Sequence, residues 1–167
     1  MKNFGLTAAL ALGTLGAVAT AGLTPAQAKP ARGPMACQQL TPAQLDQQFA
    51  AFNASWATKN PDAVAALFDD DAVLLATVAS VPRTDTAGIR DYFVKFLKGS
   101  PVGRIETSTI KSGCNWALRM GTWTVVMTDP GTGAKTDVKA RYTFLYQYEG
   151  GKWRIEHLHS SVLPANP

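Results

Sequence analysis

Residues 150–164 read GGKWRIEHLHSSVLP, and the fold follows from how this stretch is read. Two glycines make a tight turn, and behind them Trp153, Ile155, His157 and His159 fall on alternate positions. Side chains along a strand alternate faces with a period of two. The pattern therefore predicts a strand over 152–162 with both histidines, the only two in the chain, on one face. Upstream the same period predicts strands over 103–111, 115–128 and 135–148. Asp129-Pro130-Gly131-Thr132-Gly133 and Glu149-Gly150-Gly151 supply hairpin turns between them.

Before Gly99 the period is 3.6. Thr41-Pro42-Ala43-Gln44 combines a cap, a proline suited to the first helical position and a capping-box spacing. Leu45, Phe49, Phe52 and Trp56 then define one apolar face. Asn60-Pro61 opens a short second helix with Val64, Leu67 and Phe68 inward. Asp69-Asp70-Asp71 closes it, and a buried strand follows over 72–78. A polar loop, 79–84, leads to a third helix running to about Lys98, with Ile89, Tyr92, Phe93, Phe96 and Leu97 on its apolar face. Helices followed by long antiparallel strands make an α+β layout. Such strands curl, and three helices on one side close a cone with a pocket at its mouth. The aromatic face of the first helix forms part of the pocket floor.

The N-terminus reads as a targeting segment. Lys2 is a basic start, 4–23 is apolar, and Ala26-Gln27-Ala28 has the small-x-small pattern of a cleavage site. A membrane anchor is the rival reading, and the Gly and Thr content with the Ala-x-Ala ending favours cleavage. The expected organisation is a signal peptide over 1–28, a leader over 29–40 tethered at Cys37, and one domain over 41–164. The product is exported, to a periplasm or the medium. Sixteen basic and twelve acidic residues are scattered without a stripe, so no nucleic-acid partner is expected, and no membrane partner after cleavage. Cys37 and Cys114 are the only cysteines. In an oxidising compartment they are expected to bridge, with two buried thiols as the alternative.

Few residues offer chemistry. His157-x-His159 can bind a metal only with a third ligand, which histidine cannot supply. One imidazole can serve as an acid or base, or both can belong to a packed sheet face or subunit interface. Arg141 either clamps a carboxylate with its planar fork or pairs with Glu156 or Glu106. The acidic triplet at 69–71 reads as solvated charge. No phosphate-cradling glycine loop, nucleophile elbow or Cys-x-x-Cys is present. No metal and no cofactor are expected.

The chain resembles a known superfamily. Asn60-Pro61-Asp62, Leu67-Phe68 and Asp71-Ala72-Val73-Leu74-Leu75 resemble the nuclear transport factor 2-like superfamily. The tail Gly151-Lys152-Trp153, His157-Leu158-His159-Ser160-Ser161 and Pro164 is similar to the association (hub) domain of calcium/calmodulin-dependent protein kinase II. Exported bacterial relatives of that domain, a SnoaL-like group, share Pro82-Arg83-Thr84, Asp91-Tyr92-Phe93, Gly113-Cys114-Asn115-Trp116 and Ala140-Arg141-Tyr142-Thr143-Phe144. The resemblance implies a cone-shaped α+β fold with a deep pocket and assembly through the sheet into a homo-oligomer, a dimer first. The kinase hub holds small carboxylates with arginines, but Phe144 and Ser160 stand at those positions here. Family matching puts Ser160 on the face of Arg154, Glu156 and Leu158, so the histidines point away from the pocket. The leading expectation is a binding protein for a small organic molecule, acidic ones included, with Arg141, Tyr142, Trp123 and Tyr92 on the lining. A cofactor-independent isomerase, dehydratase or cyclase with His157 or His159 as base is the second, and a non-catalytic assembly module the third.

Overall fold

Thr41 opens the first helix as its spacing predicts. Its side chain accepts from the Gln44 backbone while the Gln44 side chain accepts from the Thr41 backbone. The computed structural model describes residues 36–164. The expected signal segment and most of the leader lie outside the described residues. Helix α1 spans Pro42–Ala57 and the short α2 spans Pro61–Ala65, capped by the Asn60 side chain. Strand β1 (Phe68–Leu75) follows, then α3 (Thr86–Phe96) with a final 3-10 turn over Leu97–Gly99. The remaining strands are β2 (Val102–Ile105), β3 (Thr109–Gly113), β4 (Trp116–Thr128), β5 (Lys135–Glu149) and β6 (Lys152–Val162).

The sheet is open and six-stranded, in the order β1-β6-β5-β4-β2, with β3 also on β4. β1 runs parallel to β6, and the other pairs are antiparallel. The helices pack on one face, and Phe52 sits at the centre of the core. Its ring meets Trp56, Phe144 and Phe68 edge-on, with centroids 4.9, 5.2 and 6.1 Å away. These tilted contacts suit the quadrupoles of aromatic rings.

Three expectations need correction. Asp69-Asp70-Asp71 does not end the second helix; it lies inside β1, whose pairing with β6 is irregular between Phe68 and Val73. The strand expected over 103–111 is broken into β2 and β3. At the break the Thr107 carbonyl accepts from Tyr142 Oη at 3.0 Å. A Cβ on Gly121 would stand 2.1 Å from that carbonyl oxygen, so glycine is what lets the kink lie on β4.

The third concerns the tail. Leu145 pairs with His157 but Tyr146 pairs with Ile155, which leaves Glu156 as an extra residue in β6. This bulge resets the alternation. Ile155, Leu158 and Ser160 are buried, whereas His157 is half-buried and His159 exposed. The histidines do share a face, but Ile155 is not on it.

Cys37 and Cys114 are joined in a disulfide with Cα atoms 4.9 Å apart. Two hydrogen bonds flank it, Asn115 N to Gln38 O at 2.8 Å and Gln38 N to Asn115 Oδ1 at 2.9 Å. Asn115 reaches this geometry with a left-handed backbone at φ 63°, which asparagine tolerates. With Leu40 buried, the segment before α1 is fastened to the β3–β4 turn.

Candidate functional site

Between α1, α3 and the concave face of the sheet lies a cavity of about 80 Å³. At roughly 10–15 Å³ per enclosed water, it holds about half a dozen non-hydrogen atoms. Phe52 and Trp56 come from α1, Tyr92, Phe93 and Phe96 from α3, and Trp123, Val125, Ala140, Leu158 and Ser160 from the sheet. The helix residues arrive there because three- and four-residue spacing places them on one face. The sheet residues arrive by the two-residue period on β4 and β5, and on β6 only after the bulge.

The lining is almost wholly apolar, and its few polar atoms are unequal. Trp123 Nε1 donates to Ser160 Oγ at 3.2 Å, and the Thr77 hydroxyl also bonds Ser160. That corner is satisfied. Trp56, 2% exposed, is not: its indole N–H is buried without an acceptor among the described residues. Its benzo edge faces β2, since the site of a Cβ on Gly103 lies 3.4 Å from Cζ3. The pyrrole edge, which carries the N–H, therefore turns away from β2. Tyr92 is half-buried, and burial pushes its hydroxyl well above the ordinary phenol range.

A wider recess of about 400 Å³ adjoins the cavity and shares Val78, Tyr92, Phe96 and Met127 with it. Ser80, Arg83 and Lys95 also line it. The Arg83 backbone pairs with Leu74 in both directions, N to O at 3.0 Å and O from N at 2.8 Å. This short bridge holds the loop after β1 at the mouth.

Of the residues expected on the lining, Trp123 and Tyr92 stand on the cavity wall. Tyr142 is buried directly behind Trp123, ring centroids 5.5 Å apart, with its hydroxyl committed to Thr107. Arg141 is a correction. It points out of the exposed face, because the β4–β5 register is unbroken there and Tyr142 takes the inward position. The bulge lies several residues further along β5 and cannot turn Arg141 inward.

His157 and His159 also lie on the outer face. Pairings across four strands align Val73, His157, Leu145 and Leu118 in one row, and Leu75, His159, Thr143 and Met120 in the next. Burial depresses the His157 pKa, and the neighbouring His159 adds to this. A folded pKa below the unfolded one destabilises the fold as pH falls below about 6.5, when the unfolded chain takes up the proton more readily. Among the described residues no cluster of three or more metal-ligating side chains occurs. Among the described residues no histidine or carboxylate lines the cavity.

Sequence reading missed Trp56 and Arg83 as site residues. Trp56 reads simply as core. Arg83 was visible only as part of Pro82-Arg83-Thr84, with nothing local to say that it returns to the mouth.

A curved, open sheet folded over N-terminal helices is the architecture of nuclear transport factor 2-like proteins with a cystatin-like fold. Residues 49–155 match the model of the SnoaL-like domain, and the chain belongs to that family. A candidate calcium/calmodulin-dependent protein kinase II association domain from Xanthomonas campestris is 39% identical. It superposes with a TM-score of 0.71 over 75% of this chain and 93% of that one. A nuclear transport factor 2-like superfamily protein from Salmonella enterica (14% identity, TM-score 0.63, 74% and 91% covered) shares the fold alone. So does a candidate scytalone dehydratase from Novosphingobium aromaticivorans (10%, 0.62, 72% and 82%). Comparison with curated proteins finds no match.

Proposed function

We propose that this chain is an exported, self-associating protein that binds a small, largely apolar molecule in its cone. The observation that carries the reading is the almost wholly apolar cavity walled by aromatic rings between α1, α3 and the sheet. An apolar body that enters it leaves water at a gain of about 25 cal/mol per Å² buried. The ligand class is therefore a small apolar or aromatic body. Binding is favoured over catalysis because both histidines face away and the lining offers no acid–base pair.

Benzene, with six carbons, matches what the cavity holds. By isothermal titration it is expected to bind the wild type saturably, and Ala140→Leu, which fills the cavity, should weaken it about tenfold. Absence of saturable benzene binding by the wild type would overturn the reading.

Export is supported by the 1–28 segment together with the Cys37–Cys114 bridge, which belongs in an oxidising compartment. Among the described residues no helix is long and apolar enough to cross a membrane. Self-association is supported by the outer sheet face. Val73 and Leu75 on β1, Leu145 on β5, and Leu118 and Met120 on β4 are half-buried apolar residues flanking His157 and His159 of β6, opposite the face the helices cover. In analytical ultracentrifugation the wild type is expected as a dimer and Leu145→Glu as a folded monomer. A wild-type monomer at tens of micromolar would remove this part of the reading.

A further inference from the structure

We infer that two copies of this chain pack outer face to outer face about a two-fold axis that runs across the strands, so that Arg141 of each copy meets the acids beside Glu156 of the other. This rests on the self-association reading above and specifies how the second copy is seated.

The outer face is laid out in rows two residues apart, about 6.6 Å by strand geometry. The two central rows hold His157 with Val73, Leu145 and Leu118, and His159 with Leu75, Thr143 and Met120. One row beyond His159, Arg141 stands between Ser161 and Thr122. It is exposed and makes no hydrogen bond or ion pair among the described residues. Lys139 follows in the next row, where Arg104 and Glu106 pair with each other at 2.8 Å.

One row beyond His157, at the other end, the charge is reversed. Asp71 precedes Val73 by two residues on β1, and Glu156 is the extra residue of β6. Burial raises the Glu156 pKa and the charges of Asp71, Asp69 and Glu149 add to this, so carboxylates crowd this corner. Arg154, the cation there, is spent on the Phe68 carbonyl at 3.2 Å and on Asp70 at 3.5 Å.

The two central rows thus lie midway between Arg141 and an acidic corner. A two-fold axis between them, perpendicular to the strands, reverses strand direction and keeps each strand over its counterpart. It carries the Arg141 row of one copy onto the Glu156 row of the other, twice per dimer. β5 and β6 are neighbours, so each guanidinium stands one strand spacing, about 4.8 Å, to the side of the partner's Glu156. A two-fold along the strands sets acid over acid instead. Like charges so juxtaposed are strongly disfavoured, and charge therefore selects the first axis.

Sedimentation equilibrium on Arg141→Glu, Glu156→Arg and their equimolar mixture tests this. Each variant alone is expected to raise the dimer dissociation constant at least about tenfold, because both sites of its homodimer then hold like charges. Mixing should bring it back to within a few-fold of wild type, since both sites of the mixed dimer again pair a carboxylate with a guanidinium. An ion pair within one chain is not repaired by mixing, so rescue is specific to contact between copies. Variants as dimeric as wild type would overturn the orientation and leave self-association intact, and so would variants that stay monomeric in the mixture. If wild type is monomeric, both readings fall. Asp71→Arg, at an exposed position, replaces Glu156→Arg should the latter not fold.

Discussion

Phe52→Ala is expected to destabilise the domain by about 3–5 kcal/mol, the usual cost of emptying a fully buried phenylalanine site. Phe52 is 0% exposed and touches aromatic rings from both helices and the sheet. The surrounding rings cannot collapse into the gap, because each is held by further partners: Trp56 by Phe96 and Trp123, Phe144 by Tyr146 and Trp123. The loss should sit at the upper end of that range. Since Phe52 also lines the cavity, the vacated volume joins the binding space. Urea unfolding should show the lost stability, and a naphthyl ketone should recover part of it while leaving the wild type unaffected. A loss below about 1.5 kcal/mol would mean that the core repacks, and would contradict the packing described.

Removing the Cys37–Cys114 bridge is expected to have the next largest effect. The linked residues are 77 apart. In the chain-entropy model, a loop of that length constrains the unfolded state by about 4.5 kcal/mol at 25 °C. The Gln38–Asn115 hydrogen bonds and buried Leu40 keep the segment near its place without the bridge. The folded state therefore changes little, and the penalty lies in the freed unfolded chain. The Cys37→Ser/Cys114→Ser double variant should lose about 3–4 kcal/mol in urea unfolding. Benzene affinity should be unchanged, because neither cysteine lines the cavity. Equal stability of oxidised, reduced and double-serine proteins would show that the bridge does not form in solution.

Much of the architecture is legible in local pattern. The capping box at Thr41 and the Asn60-Pro61 start mark helix entries to the residue, because caps are satisfied by side chains one to three positions away. The hairpin at 149–151 is equally plain, since Gly150 and Gly151 both take positive φ. The acidic triplet misleads: three aspartates have low strand propensity, yet they lie between Phe68 and Val73, which pair with β6 far along the chain, and so fall within β1.

The candidate site was less legible, and the reason is register. The assignment of Arg141 to the lining required knowing which face of β5 is concave. Two-residue alternation says that Arg141 and Tyr142 oppose each other but not which of them is inside. The Glu156 bulge is a property of two strands together, so no pattern within β6 announces it. Arg83 reaches the mouth only through its bridge to Leu74 across a loop.

By itself, then, the chain determined its element types, its turn positions, its cysteine pair and the two-sided character of each strand. Caps, glycine turns and periodicity act within a few residues, and this is why they can be read along the sequence. Tertiary structure alone decided which sheet face closes over α1 and that His157 and His159 look outward. It also buried the Trp56 N–H and the Arg83 Nε with no acceptor among the described residues. Those facts depend on pairings between distant segments, on burial against partners from other elements, and on one extra residue in a ladder.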